Sequence, residues 1–114
     1  MRGPAVADRT TRATPETPPE TAELRRLRRR IDALDRRIVG LLNERAELGR
    51  AVGHAKAAAG RRAVRDAQRE REVLLRVTMA NTGPLPQADL IAMYRRLIAV
   101  NRALEARDRK GPTD

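Results

Sequence analysis

The stretch ELRRLRRRIDALDRRIVGLLNERAELGRAVGHAKAAA, residues 23–59, decides the fold. Within it Leu24, Leu27, Ile31, Leu34, Ile38, Leu41, Leu48 and Val52 recur at steps of three, four and seven. That spacing keeps apolar side chains on one face of an α-helix. No proline interrupts between Glu23 and Pro84. At a rise of about 1.5 Å per residue such a helix runs about 55 Å. It is too long for a compact monomer of this size, so it is expected to pack along the equivalent helix of a second chain, in the manner of a coiled coil. Gly40, Gly49 and Gly53 each cost about 1 kcal/mol of helix propensity against Ala, which points to a close helix approach or to space for a bound molecule.

Working outward, Ala59–Gly60–Arg61–Arg62 reads as a loop, and Asp66 opens a second helix with Val73, Leu74, Val77 and Met79 turned inward. Asn81–Thr82–Gly83–Pro84 ends it, because Gly caps and Pro cannot continue a helix. A third helix is expected from Gln87 to Ala106, with Leu90, Ile91, Met93, Tyr94, Leu97, Ile98 and Leu104 inward. No strand pattern occurs. The predicted architecture is all-α: a three-helix protomer, long, short and medium. Residues 1–22 hold Pro4, Pro15, Pro18 and Pro19 without periodicity and read as a disordered leader. Residues 23–107 form the helical domain, and 108–114 a disordered tail.

The chain has 114 residues, a net charge of +10, a single His and no Cys, Phe or Trp. Without Cys there is no disulfide framework or thiolate chemistry, and one His rules out an imidazole metal cluster. No apolar run is long enough to span a membrane, and no signal-peptide pattern opens the chain, so a cytoplasmic location is expected. The basic balance invites a nucleic-acid reading. Yet Arg25, Arg26, Arg29, Arg30, Arg36 and Arg37 have no interleaved aromatics and no reading motif. A high arginine and alanine content also fits a GC-rich genome, so neither a nucleic acid nor a membrane is the expected partner.

The informative residues are polar ones in apolar positions. At about 100° per residue, Arg45 and Lys56 fall at the centre of the first helix's apolar stripe, and Arg28 on its shoulder. In the second helix Asp66 and Glu70 flank the inward valines, with Arg69 on the shoulder; Asp66 also suits an N-cap. In the third, Asn101 and Glu105 lie one turn apart on the apolar face. An unpaired buried charge costs several kcal/mol, so these cations need either internal acids or an anionic ligand. The positive excess favours a small polyanion such as a dicarboxylate. No Gly-rich phosphate loop is present. His54 falls opposite the stripe, facing solvent, and Tyr94 reads as a core residue.

These residues resemble a known family. Leu27–Arg28–Arg29–Arg30–Ile31–Asp32–Ala33–Leu34–Asp35, Leu41–Leu42–Asn43–Glu44–Arg45–Ala46–Glu47–Leu48 and Val52–Gly53–His54–Ala55–Lys56 are similar to the first helix of the all-helical, AroQ-type chorismate mutases. Val64–Arg65–Asp66 with Arg69–Glu70–Arg71–Glu72 resembles the second, and Met93–Tyr94–Arg95–Arg96–Leu97–Ile98 with Asn101 to Glu105 the third. The resemblance covers residues 23–107.

It implies an intertwined homodimer that rearranges chorismate to prephenate without metal or cofactor. Arg28 from the partner chain and Lys56 would bind the side-chain carboxylate. Arg45 and Asn101 would hold the other carboxylate, where many relatives have Ser in place of Asn. Asp66 and Glu70 would surround the ring hydroxyl, with Arg69 close by. Lys56 and Glu105 would flank the ether oxygen as the catalytic pair. Many bacterial relatives carry Gln at the last position. A carboxylate accepts only, so Glu105 can donate there only when protonated. The same fold serves 4-amino-4-deoxychorismate mutases and isochorismate pyruvate lyases, and it leaves room for an activating partner enzyme. The non-enzyme alternative is a basic helical regulatory or RNA-binding module. That reading has no use for cations inside an apolar stripe, and its affinity would fall steeply with salt.

Overall fold

The computed structural model describes residues 17–61 and 66–111. Three helices occur among them: α1 (Ala22–Ala58), α2 (Ala67–Ala80) and α3 (Gln87–Lys110). Most of the expected leader, as well as Arg62, Val64 and Arg65, lies outside the described residues. The chain divides into two compact units, one ending at Ile38 and the other beginning at Val39.

The first unit holds the start of α1. Thr21 caps it, its Oγ1 accepting from the Leu24 amide at 3.0 Å, which satisfies one of the orphan donors of the first turn. Leu24, Leu27, Ile31, Leu34 and Ile38 share one face as the periodicity predicts, and all are exposed, Ile31 at 54%.

In the second unit each helix end has an identifiable cause. α1 closes in a Schellman arrangement: Gly60 N–H donates to the Ala57 carbonyl at 3.0 Å and Arg61 N–H to the Lys56 carbonyl at 2.9 Å. Gly60 has φ +74°, a left-handed conformation that favours glycine. Asp66 caps α2, accepting from the Arg69 amide at 2.9 Å. The α2–α3 connection is organised by Asn81, whose Nδ2 donates to the Leu85 carbonyl and to Gln87 Oε1, both at 2.9 Å. Gln87 Nε2 donates back to the Thr78 carbonyl at 3.0 Å.

Two expectations need correction. α3 does not end at Ala106 but continues to Lys110, so residues 108–110 are helical rather than part of a tail. Asp108 accepts from Arg50 Nε at 2.8 Å and Nη2 at 3.1 Å, a two-pronged clamp that ties this last turn to α1. The helix then stops at Gly111, φ +72°. The second correction concerns the core. Val73, Leu74, Val77, Leu90, Ile91, Tyr94, Leu97, Ile98 and Leu104 are half-buried, but Met79 and Met93 are exposed, at 71% and 53%. Among the described residues no hydrophobic side chain is buried. A helix in a single three-helix chain has neighbours over only part of its circumference, so apolar side chains on the remaining arc stay bare.

Candidate active site

A cleft of about 770 Å³ lies within the second unit. The C-terminal part of α1 contributes Arg45 and Lys56, the opening of α2 contributes Asp66, Arg69 and Glu70, and α3 contributes Asn101 and Glu105. All seven were expected from the sequence to face inward or sit on the shoulder of an inward face. The eighth expected residue, Arg28, belongs to the first unit, where its Nη1 lies 2.6 Å from Glu20 Oε2.

The glycines of α1 explain how a polar pair fits against this helix. A Cβ on Gly49 would meet the Asn101 side chain at 3.8 Å, an ordinary contact, whereas one on Gly53 would meet Glu105 Cγ at 3.1 Å. Gly49 and Gly53 lie one helical turn apart, as do Asn101 and Glu105. The two glycines thus form a groove of bare backbone into which the two polar side chains of α3 settle. Gly53 and Asn101 are the only buried residues among those described, Asn101 at 7% exposure. Asn101 Oδ1 is buried with no hydrogen-bond partner among the described residues, a cost that a ligand or a second chain could offset.

The cations differ in how they are held. Arg45 is half-buried, with its guanidinium carbon 5.8 Å from the centre of the Tyr94 ring, within cation–π range. Tyr94 is therefore more than filling: it offers Arg45 a face to rest on. Lys56 is half-buried on the turn that the Schellman bonds fix. Neither Arg45 nor Lys56 forms an ion pair with any described residue. Asp66 is engaged as the α2 cap, and Glu70 pairs with Arg102, whose Nη1 donates to Glu70 Oε2. Arg69 is exposed, 3.6 Å from Glu72.

Arg61, Arg102 and Arg109 also line the cleft, and sequence reading missed all three. Arg61 follows the end of α1, beyond the reach of helical periodicity. Arg102 was the findable one, because an inward acid such as Glu70 calls for a basic partner. With these three, six cationic side chains and three acids face one cleft. Away from it, His54 is exposed as expected, its Nε2 3.6 Å from Asp108 Oδ2. The hydrogen bond from Arg50, more than its charge alone, holds the Asp108 carboxyl below its ordinary range. No described residues form a group of three or more acids and His placed to hold a metal ion, and no described helix is long and apolar enough to cross a membrane.

Fold and cleft together define an all-helical protein whose three helices bring six cationic and three acidic side chains to one cleft. The sequence profile described as chorismate mutase type II matches residues 27–106. The chain belongs to that family. It is 37% identical over 87 residues to a bifunctional chorismate mutase/prephenate dehydratase of Aquifex aeolicus (strain VF5), covering 73% of this chain and 24% of that one. A protein of the same description from Neisseria gonorrhoeae (strain ATCC 700825 / FA 1090) is 38% identical over 78 residues, covering 68% and 21%. The chain thus spans about a quarter of the length of the curated relatives it matches. Among solved structures, the form II chorismate mutase of Thermus thermophilus is similar with a TM-score of 0.69 and 29% identity, over 75% of this chain and 96% of that one.

Proposed function

We propose that this chain is a chorismate mutase, catalysing the intramolecular rearrangement of chorismate to prephenate. The observation that carries the reading is the pair Arg45 and Lys56, half-buried cations with no acid paired to them among the described residues, in one cleft with the orphaned Asn101 and with Glu105. A dicarboxylate supplies what that set lacks. Arg45, steadied by Tyr94, and Asn101 take one carboxylate. Lys56 and an arginine from a second chain, Arg28, take the other. The ring hydroxyl falls to Asp66 and Glu70, with Arg69 beside them.

The reaction is a concerted shift in which a C–O bond breaks as a C–C bond forms, with no nucleophile and no proton transferred. Two things accelerate it. Anchoring both carboxylates selects the folded conformer in which the reacting carbons meet, an orientation effect. Donors fixed at the ether oxygen then stabilise the negative charge that grows there. Lys56 is one such donor. Glu105, seated against Gly53, faces the same oxygen and donates to it only when it carries a proton.

The active species is a homodimer. What supports this is the bare stripe of Leu24, Leu27, Ile31, Leu34 and Ile38, an apolar face longer than a soluble monomer keeps exposed. A second copy would cover the stripe and bring Arg28 to a cleft. The direct test is ultraviolet measurement of chorismate loss by the purified chain, with the product identified. Conversion to prephenate at an enzyme-dependent rate supports the reading, and no turnover at high enzyme concentration rejects it.

A further inference from the structure

We infer that Arg50 and Asp108 position Glu105: the bond between their side chains holds the last turns of α3 against α1 and so keeps Glu105 on its seat at Gly53. The inference rests on the reading of this cleft as the site of chorismate rearrangement, with Glu105 at the ether oxygen.

Glu105 is half-buried and forms no hydrogen bond or ion pair with any described residue. Its place is therefore set by the backbone of Gly53, where a Cβ would stand 3.1 Å from its Cγ, and by the course of α3. That helix ends at Lys110, so Glu105 belongs to its last two turns. The final carbonyls of a helix lack partners within it, and helix ends fray. Without an anchor beyond Glu105, fraying would reach the residue.

Asp108 is that anchor. It lies three residues after Glu105 on the same face of α3, and Arg50 lies three residues before Gly53 on α1. Arg50 Nε and Nη2 donate to the two carboxylate oxygens of Asp108, at 2.8 and 3.1 Å. A planar fork on a carboxylate fixes direction as well as distance. Around the pair, His54 Nε2 stands 3.6 Å from Asp108 Oδ2, and Glu47 Oε2 3.4 Å from Arg50 Nη1. The Asp108 side chain is only 19% exposed. The bond and the glycine seat are thus neighbouring crossings of the same two helices. Neither Arg50 nor Asp108 is among the described residues that line the cleft. Both act through Glu105 and are positioning residues.

The experiment measures kcat and KM for chorismate with Arg50→Met and Asp108→Asn, each made in the wild-type chain and in Glu105→Ala, with helical content checked by circular dichroism. In the wild-type chain either change should lower kcat by about tenfold, the scale on which a misplaced group acts. KM should stay within about twofold, because Arg45 and Lys56 still anchor the carboxylates. In Glu105→Ala the same changes should cost less than about twofold, since the bond has nothing left to position. A kcat loss of equal size in both chains overturns the inference and makes the bond structural only. Unchanged kcat in the wild-type chain overturns it too, as does a Glu105→Ala chain as active as wild type. Should Arg50→Met not fold, Asp108→Asn, which keeps the shape of the side chain, decides by the same comparison. No turnover of chorismate by the unaltered protein rejects the underlying activity instead, so the two failures are distinct.

Discussion

Residues 17–38 and residues 39–111 differ in what they cover: the first leaves every side chain but that of Glu20 exposed, whereas the second shelters a set of polar groups. In the first region the apolar stripe lies bare and the polar groups serve it locally: Thr21 caps, Glu23 pairs with Arg26, and Glu20 pairs with Arg28. In the second region the best-covered groups are the bare backbone of Gly53 and the amide of Asn101, with Lys56, Glu70 and Glu105 half-buried around them. A bare apolar face supports the proposed second chain that would cover it. A covered set of polar groups with a cationic excess supports the proposed small anionic ligand.

The largest effect should come from joining the two regions. Arg28→Ala and Arg45→Ala are each expected to lose most activity while keeping their helical content, since one charge-assisted carboxylate contact is worth about 2–5 kcal/mol. Mixing the two inactive variants should restore part of the activity, because a mixed dimer can assemble one intact site. If Arg28→Ala turns over like wild type, residues 17–38 serve only themselves and the contrast is the whole story. Light scattering at micromolar concentration should give twice the chain mass.

Next in size is Gly53→Ala. A methyl group 3.1 Å from Glu105 Cγ is tighter than an ordinary contact and obliges that flexible side chain to shift by a few tenths of an ångström; kcat should fall with little change in KM, as expected when a group acting in the transition state is displaced. Gly49→Ala, with 3.8 Å to Asn101, should be tolerated. Equal behaviour of the two would mean the groove does not seat the α3 side chains.

A smaller effect belongs to Glu105. A carboxylate only accepts, whereas a carboxamide donates. Glu105→Gln should therefore equal or exceed wild type in kcat/KM, as a donor at the ether oxygen requires. A variant without activity removes Glu105 from the ether oxygen.

The smallest effect lies outside the cleft. The Arg50 hydrogen bond depresses the Asp108 carboxyl in the folded chain below its ordinary value of 3.8. A depressed acid stabilises the fold at pH above its unfolded value, and that contribution is lost as pH falls through the folded one. Wild type should therefore outlast Asp108→Asn in urea at neutral pH, with the gap closing below about pH 3.8. A gap that keeps its neutral-pH size however far the pH is lowered would assign the effect to packing.

Helix number and order are legible in the sequence because period and punctuation are local. The stripe from Leu24 to Val52, the Asp66 cap and the stop at Asn81–Pro84 each need only a few neighbouring residues. So is the gathering of Arg45, Lys56, Asp66, Arg69, Glu70, Asn101 and Glu105, since a charge on an apolar stripe must share the interior with the others. The end of α3 is not legible. Arg107–Asp108–Arg109–Lys110 looks like fraying until Arg50, 58 residues earlier, is seen to hold Asp108. Arg102 was half legible: the inward Glu70 calls for a basic partner, but periodicity does not say which of the many arginines of α3 answers it. What periodicity cannot supply is pairing across long separations.

The hydrogen bonds of Asn81 and Gln87 span only four to nine residues of chain, and this short span has a consequence for the order in which the molecule assembles. Closing so small a loop costs little entropy, whereas bringing Arg50 to Asp108 closes a far longer one. The α2–α3 hairpin should therefore form ahead of the cleft, with Glu70 and Asn101 already set on their helices when α1 arrives. Pulsed amide exchange during refolding would show protection at Asn81 and Leu90 before Gly53, and the reverse order would refute it. In kinetic terms the hairpin is the template, and the long helix that dominates the sequence is the last to find its place.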